Sequence, residues 1–193
     1  MPLFELYIKE GYLPHIINVK TNIYFQQLIQ IINTTLNQDL QFSRNLTSGI
    51  INKLKRILNI IASSVPYEPN LSSISSKTGI RRESVYDFLN YLEEARLINT
   101  IRKLPKGITA LQKPNKIYLE NTNLNYALQE RPDIGTLRET FLLNQLRNAG
   151  YEVSLPPKYD FLVDEKHIIE SGGKNKLVSD KNILIAMGNS FNS

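Results

Sequence analysis

The segment from Asn70 to Arg96 restricts the fold more than any other stretch of the chain. Asn70-Leu71-Ser72-Ser73-Ile74-Ser75-Ser76-Lys77-Thr78-Gly79-Ile80 has a polar start and a closing glycine, the pattern of a short helix that stops. Ser84 to Arg96 then reads as a longer helix, with Val85, Phe88, Leu89, Leu92 and Ala95 on one face. Two helices joined by a tight glycine-containing turn make a helix-turn-helix. The sequel, LINTIRKLPKG followed by NKIYLEN, gives two short β-rich runs joined by a basic loop, as a wing would. Before it, Ile50, Ile51, Leu54, Ile57, Leu58, Ile61 and Val65 mark the buried stripe of another helix that ends at Pro66. The order predicts a winged helix over residues 45–120.

On its N-terminal side, LFELYIKEGYLPHII reads as a short helix stopped at Gly11, with Pro14 just beyond. A second helix is predicted from Asn22 to Leu40 by the spacing of Ile23, Phe25, Leu28, Ile29, Ile32 and Leu36. On the C-terminal side, Leu124 to Gln129 begins a short helix, Pro132-Asp133-Ile134-Gly135 punctuates it, and Leu137 to Asn148 forms another. Strands are predicted at Tyr151–Leu155, Phe161–Val163, His167–Ile169 and Ile183–Met187, with Asp164-Glu165-Lys166 as a turn. The fold class is α+β: a helical segment over residues 1–44, the winged helix, and a small α+β domain over 121–193.

Composition narrows the function classes. No cysteine is present, so there is no disulfide, thiolate metal site or cysteine nucleophile. No signal peptide and no run of eighteen apolar residues stands out, which sets a cytoplasmic, membrane-free expectation. Of the net charge of +5, four fall in residues 45–103, where nine basic residues face five acidic ones. Local excess of that kind suits a polyanion, although a solvated helix face gives similar counts. His15 and His167 are the only histidines, too few for a zinc site or a proton relay. Ser171-Gly172-Gly173-Lys174 lacks the spacing of a phosphate-gripping loop and reads as a turn.

Several segments together resemble one group of proteins. FELYIKEGYLPHI resembles the "YLxxGGxP" end of the ATPase part in a bacterial and archaeal group of AAA-type ATPases. SSISSKTGIRRESVYDFLNYLEEARLINTIRK is similar to the winged helix that follows it. KIYLENTNLNYAL resembles the group's "K-x-Y-x-x-D-x-x-L" strand and helix, with Asn121 where aspartate is usual. TLRETFLLNQLRNAG with DFLVDEKHIIESGGKNK is similar to the PD-(D/E)XK nuclease-like domain at the end of the same proteins. The resemblance spans nearly the whole chain. No Gly-x-x-x-x-Gly-Lys-Ser/Thr phosphate loop occurs, so the resemblance implies that an ATP-binding domain precedes Met1 in a longer protein. It also implies that the last domain is shortened past Ile185, with a restriction-endonuclease-like topology.

The resemblance assigns catalytic positions to Glu139, Asp160 and Glu170, with Lys174 the candidate for the catalytic lysine if the Ser171-Gly172-Gly173 stretch bulges. Asp160 and Glu170 would hold a divalent ion, magnesium, which polarises a scissile phosphate and acidifies an attacking water. The expected lysine belongs two residues after the glutamate, where both side chains share a strand face. Gly172 occupies that position and Lys174 is the next lysine, so the expectation is a nuclease-like domain that cuts weakly or not at all. Without the resemblance, the three acids read as solvated carboxylates among eighteen acidic residues. Nucleic-acid contacts are assigned to Arg81, Arg82, Ser84, Tyr86 and Asn90 at the second helix, and to Arg102, Lys103 and Lys106 around the wing. Against that stands docking without DNA, since Tyr91, Glu93 and Glu94 would repel or block phosphates along that helix. Expected partners are double-stranded DNA and the protein's own ATPase domain, with oligomerisation open. A working magnesium-dependent DNase is the third alternative.

Overall fold

The computed structural model describes residues 2–13, 19–103, 113–172 and 183–187. It is mixed α+β. Helix α1 (Pro2–Glu10) ends at Gly11, and α2 (Thr21–Thr34) runs into a π-helical segment (Thr35–Leu40) and a last turn, α3 (Gln41–Ser43). The predicted end at Leu40 is therefore three residues early. The wider π turn lets Leu36 and Leu40 both reach the interior, in line with Tyr24, Leu28 and Ile32. Helix α4 (Ser48–Ala62) buries Ile51, Leu54, Ile57, Leu58 and Ile61.

Next come α5 (Leu71–Thr78), a 3₁₀ turn (Arg82–Ser84) and α6 (Val85–Glu94). Asn70 caps α5 by accepting the Ser73 amide at 3.1 Å, and Gly79 closes it at φ 66, a conformation that disfavours a Cβ. Strands β1 (Ile98–Ile101) and β2 (Lys116–Leu119) pair antiparallel, Ile98 opposite Leu119. Helices α7 (Thr122–Leu128) and α8 (Ile134–Asn148) follow. A mixed sheet then takes the order β3 (Val153–Ser154), β4 (Phe161–Val163), β5 (His167–Gly172), β6 (Ile183–Met187), with the last pair parallel.

One buried apolar cluster runs from Tyr24 through α4, α6 and both β1 and β2 to Phe161 and Ile169. Beside it lies a polar corner, in which Glu120, Asn121, Thr122, Asn123, Asn125 and Asn144 are all buried. Buried polar groups are tolerated where they find hydrogen bonds. Here Asn123 Oδ1 accepts the Tyr12 amide at 2.8 Å and the Tyr24 phenol at 2.7 Å, while its Nδ2 donates to the Ile8 carbonyl at 2.9 Å. Thr122 Oγ1 donates to the same carbonyl at 2.6 Å. The N-terminal segment is thus fastened to the β2–α7 junction by hydrogen bonds, and by the Phe4 ring edge-on to Phe141 at 5.4 Å. Replacing Asn123 with leucine should cost about 2 to 4 kcal/mol, because the buried Tyr24 phenol and the part-buried Tyr12 amide lose their acceptor and the Ile8 carbonyl keeps only Thr122; urea unfolding measures it. Among the described residues no helix is long and apolar enough to cross a membrane.

Candidate functional site

Two places gather the side chains singled out in the sequence. The first is the outer face of α5, the 3₁₀ turn and α6. Lys53 on α4 donates its Nζ to the Gly79 carbonyl at 2.9 Å, and Ser75 Oγ donates to the Ile80 carbonyl at 2.7 Å, so the turn between the helices is braced from both sides. Arg81 and Arg82 are exposed at the entry to α6, and Asp87 and Asn90 are exposed along it. Ser84 is half-buried, and Tyr86 is half-buried with its ring packed on the core.

The acidic residues of the second half of α6 are turned to neighbours. Glu93 accepts the Thr100 amide and hydroxyl, each at 2.8 Å, and lies 3.4 Å from Arg147. Glu94 is ion-paired with Arg44, whose guanidinium also covers the Tyr91 ring at 5.3 Å from its centroid. Arg102 is held in the same network, donating to Thr100 Oγ1 at 2.7 Å and standing 3.9 Å from Glu93. Its guanidinium thus joins this network while the side chain stays 37% exposed. Lys103 is exposed, its amide donating to Asn115 Oδ1 at 3.0 Å. Lys106 lies outside the described residues.

The second place is where α8, β2 and the β4–β5 pair meet. The register pairs Phe161 with Ile169, so Asp160 directly precedes β4 and Glu170 follows Ile169 on β5. Asp160 Oδ2 accepts the Ser171 amide at 2.8 Å, and Glu170 is buried. Glu139 on α8 accepts the Tyr118 phenol at 2.6 Å and lies 3.9 Å from Lys116 Nζ. Burial, then the Glu139 charge and hydrogen bond, then the Asp160 charge, push the Tyr118 phenol well above its ordinary range. Tyr118 thus senses both acids.

Tyr118 and Lys116 were missed in sequence reasoning. Their signal was their spacing of two in KIYL, which puts them on one strand face. Lys174 lies outside the described residues. Among the described residues, no group of three His, Cys, Asp or Glu is close enough to hold a metal ion.

No curated protein matches the chain, and no solved structure does. One family model, described as a domain of unknown function (DUF8612), matches residues 1–148, ending at the last residue of α8. Glu139 and the outer face of α6 lie inside the match, and Asp160 and Glu170 lie beyond it. Since that match takes in most of its length, the chain belongs to the DUF8612 family.

Proposed function

We propose that the chain is a duplex-DNA-binding region of a larger AAA-type ATPase, with residues 45–120 acting as a winged helix. The observation that carries this reading is the charge arrangement of α6. Arg81 and Arg82 stand exposed at its entry, and Glu93 and Glu94, the acids that would repel a phosphate backbone, are neutralised by Arg147, Arg102 and Arg44. Asn90, one helical turn from Tyr86 and three residues after Asp87, is the exposed amide suited to a base edge.

Binding of the 193-residue chain to a duplex across a salt series tests it. Changing Arg81 and Arg82 to alanine should weaken binding and lower the log–log salt slope by about one per lost phosphate contact. Cooperative unfolding should be unchanged, as neither side chain is buried. A slope that does not move would refute DNA contact through this helix.

Residues 121–193 are assigned to a nuclease-like domain with little or no cleavage, because Gly172 stands where such a site needs its lysine. Supercoiled DNA incubated with the chain in magnesium or manganese should stay unnicked. Nicking that disappears in Asp160→Ala would overturn this and make Lys174 and Lys116 the candidates for the displaced role.

Protein docking is the second reading, favoured by a different observation. Leu3 and Phe42 are 82% and 81% exposed, and Leu6 and Tyr7 share the Leu3 face of α1.

A further inference from the structure

A groove of about 380 Å³ opens between α2, the turn after α6 and the polar corner. Leu28, Ile31, Ile32 and Leu124 give it apolar lining, and Glu120 lines it too. That volume lies in the range of small-molecule sites, which pair apolar walls with a few polar anchors. The Glu120 side chain is 5% exposed, and its Oε2 is buried without a hydrogen-bond partner. A buried carboxylate oxygen left in this way is costly, more so than a neutral group. On the other oxygen, Arg96 stands 3.6 Å away at the rim of the groove, held at φ 55 in the left-handed region that a non-glycine residue enters only at a cost. The groove is also bordered by Thr35, where the helix widens into its π segment.

We propose that this groove is a binding site for a small organic ammonium ion with an apolar body, the cation pairing with Glu120 and the body lying against Leu28, Ile32 and Leu124. The terminal torsion of a glutamate is soft, so a modest turn of the carboxylate presents Oε2 to the groove. A charged donor is favoured over a neutral one because a hydrogen bond between an ammonium and a carboxylate is roughly twice as strong as a neutral pair. None of Arg81, Arg82, Asp87 and Asn90 lines the groove, so the proposal does not rest on DNA binding.

Proton linkage gives the proposal a second readout. Burial pushes the Glu120 carboxyl up to about 7, opposed by Arg96, Arg147 and the Asn99 amide and reinforced by Glu93. From the segment before α2, from α2 and from the π segment, the groove is lined by Tyr12, Leu13, Leu28, Ile31, Ile32 and Thr35, none of them charged. Because the ammonium pairs with the ionised carboxylate, its apparent affinity should rise about tenfold from pH 6 to pH 8.

Benzylammonium chloride is the probe, titrated into the full chain and followed by amide chemical shifts. At pH 8 a saturable response is expected, with a dissociation constant on the order of 1 mM for a ligand of this size. Glu120→Gln should weaken it at least tenfold and abolish the pH dependence. Ile31→Trp, at a partly exposed position on the groove wall, should block it sterically with cooperative unfolding retained. Benzyl alcohol, of the same shape without the charge, should bind at least tenfold more weakly. The proposal is overturned if benzylammonium gives no saturable response at tens of millimolar, if both folded variants bind it as the parent does, or if the alcohol binds equally well.

Discussion

Changing Arg147 to alanine will lower the unfolding free energy by about 2 to 4 kcal/mol, as large a loss as that expected at Asn123. Its guanidinium, only 25% exposed, donates to Asn99 Oδ1 at 2.7 Å and the Thr100 carbonyl at 2.6 Å, and lies against Glu93. It thereby ties the end of α8 to β1 and to the side of α6. Truncation leaves Glu93 short of a cation and two β1 groups short of a donor. Arg147→Met keeps the apolar stem and should recover only a minor part. Arg147→Lys should also recover little, because a single ammonium cannot span the fork that Asn99 and Thr100 require. Urea titrations measure all three, and a loss below about 1 kcal/mol for alanine would show that solvent already screens the network.

Stability should fall as pH rises from about 4.5 to 7, and Glu120 should account for much of the slope. Its folded-state carboxyl is raised from 4.5 to about 7, so the folded protein holds that proton more tightly than the unfolded chain does. For an acid shifted in this direction the contribution is fully present below the unfolded value, is lost through the interval, and is absent above about 7. The change amounts to about 3 kcal/mol. Glu120→Gln lacks the titration, so its stability relative to the parent should climb by about that amount between pH 4.5 and pH 8. Equal pH slopes in parent and variant would contradict the assignment.

What could be read from the sequence depended on whether apolar residues did the positioning. Gly79, the cap at Asn70 and the stripe Val85, Leu89, Leu92 locate α5 and α6 within a residue or two, since those helices bury one apolar face. Helix α8 was harder. Pro132-Asp133-Ile134-Gly135 resembles loop punctuation, yet Asp133 Oδ2 accepts the Thr136 amide at 2.9 Å and the helix starts at Ile134. Its inward positions include Thr136, Thr140 and Asn144, which blur the periodicity. Thr136 donates to the Val65 carbonyl and Asn144 to the Glu120 carbonyl, bonds between distant segments that leave no local signature. The strand predicted over His167–Ile169 runs on to Gly172, because pairing with β6 carries it through Glu170 and Ser171. For the same reason the groove at Glu120 was invisible: an acid in a row of asparagines reads as surface, and only the packing of α2 over it reveals otherwise.

The clamp at Asn123 also sets a timetable. Its bond to the Tyr12 amide spans 111 positions of sequence, and the one to the Tyr24 phenol spans 99. On a ribosome extending by about 5 to 20 residues each second, α1 and α2 emerge on the order of 5 to 20 seconds before the side chain that fastens them. Through that interval Tyr24, Leu28 and Ile32 face the cell without their final cover. Nascent chains stalled before residue 123 should therefore recruit chaperones through their first forty residues, and release them once α7 has cleared the exit tunnel.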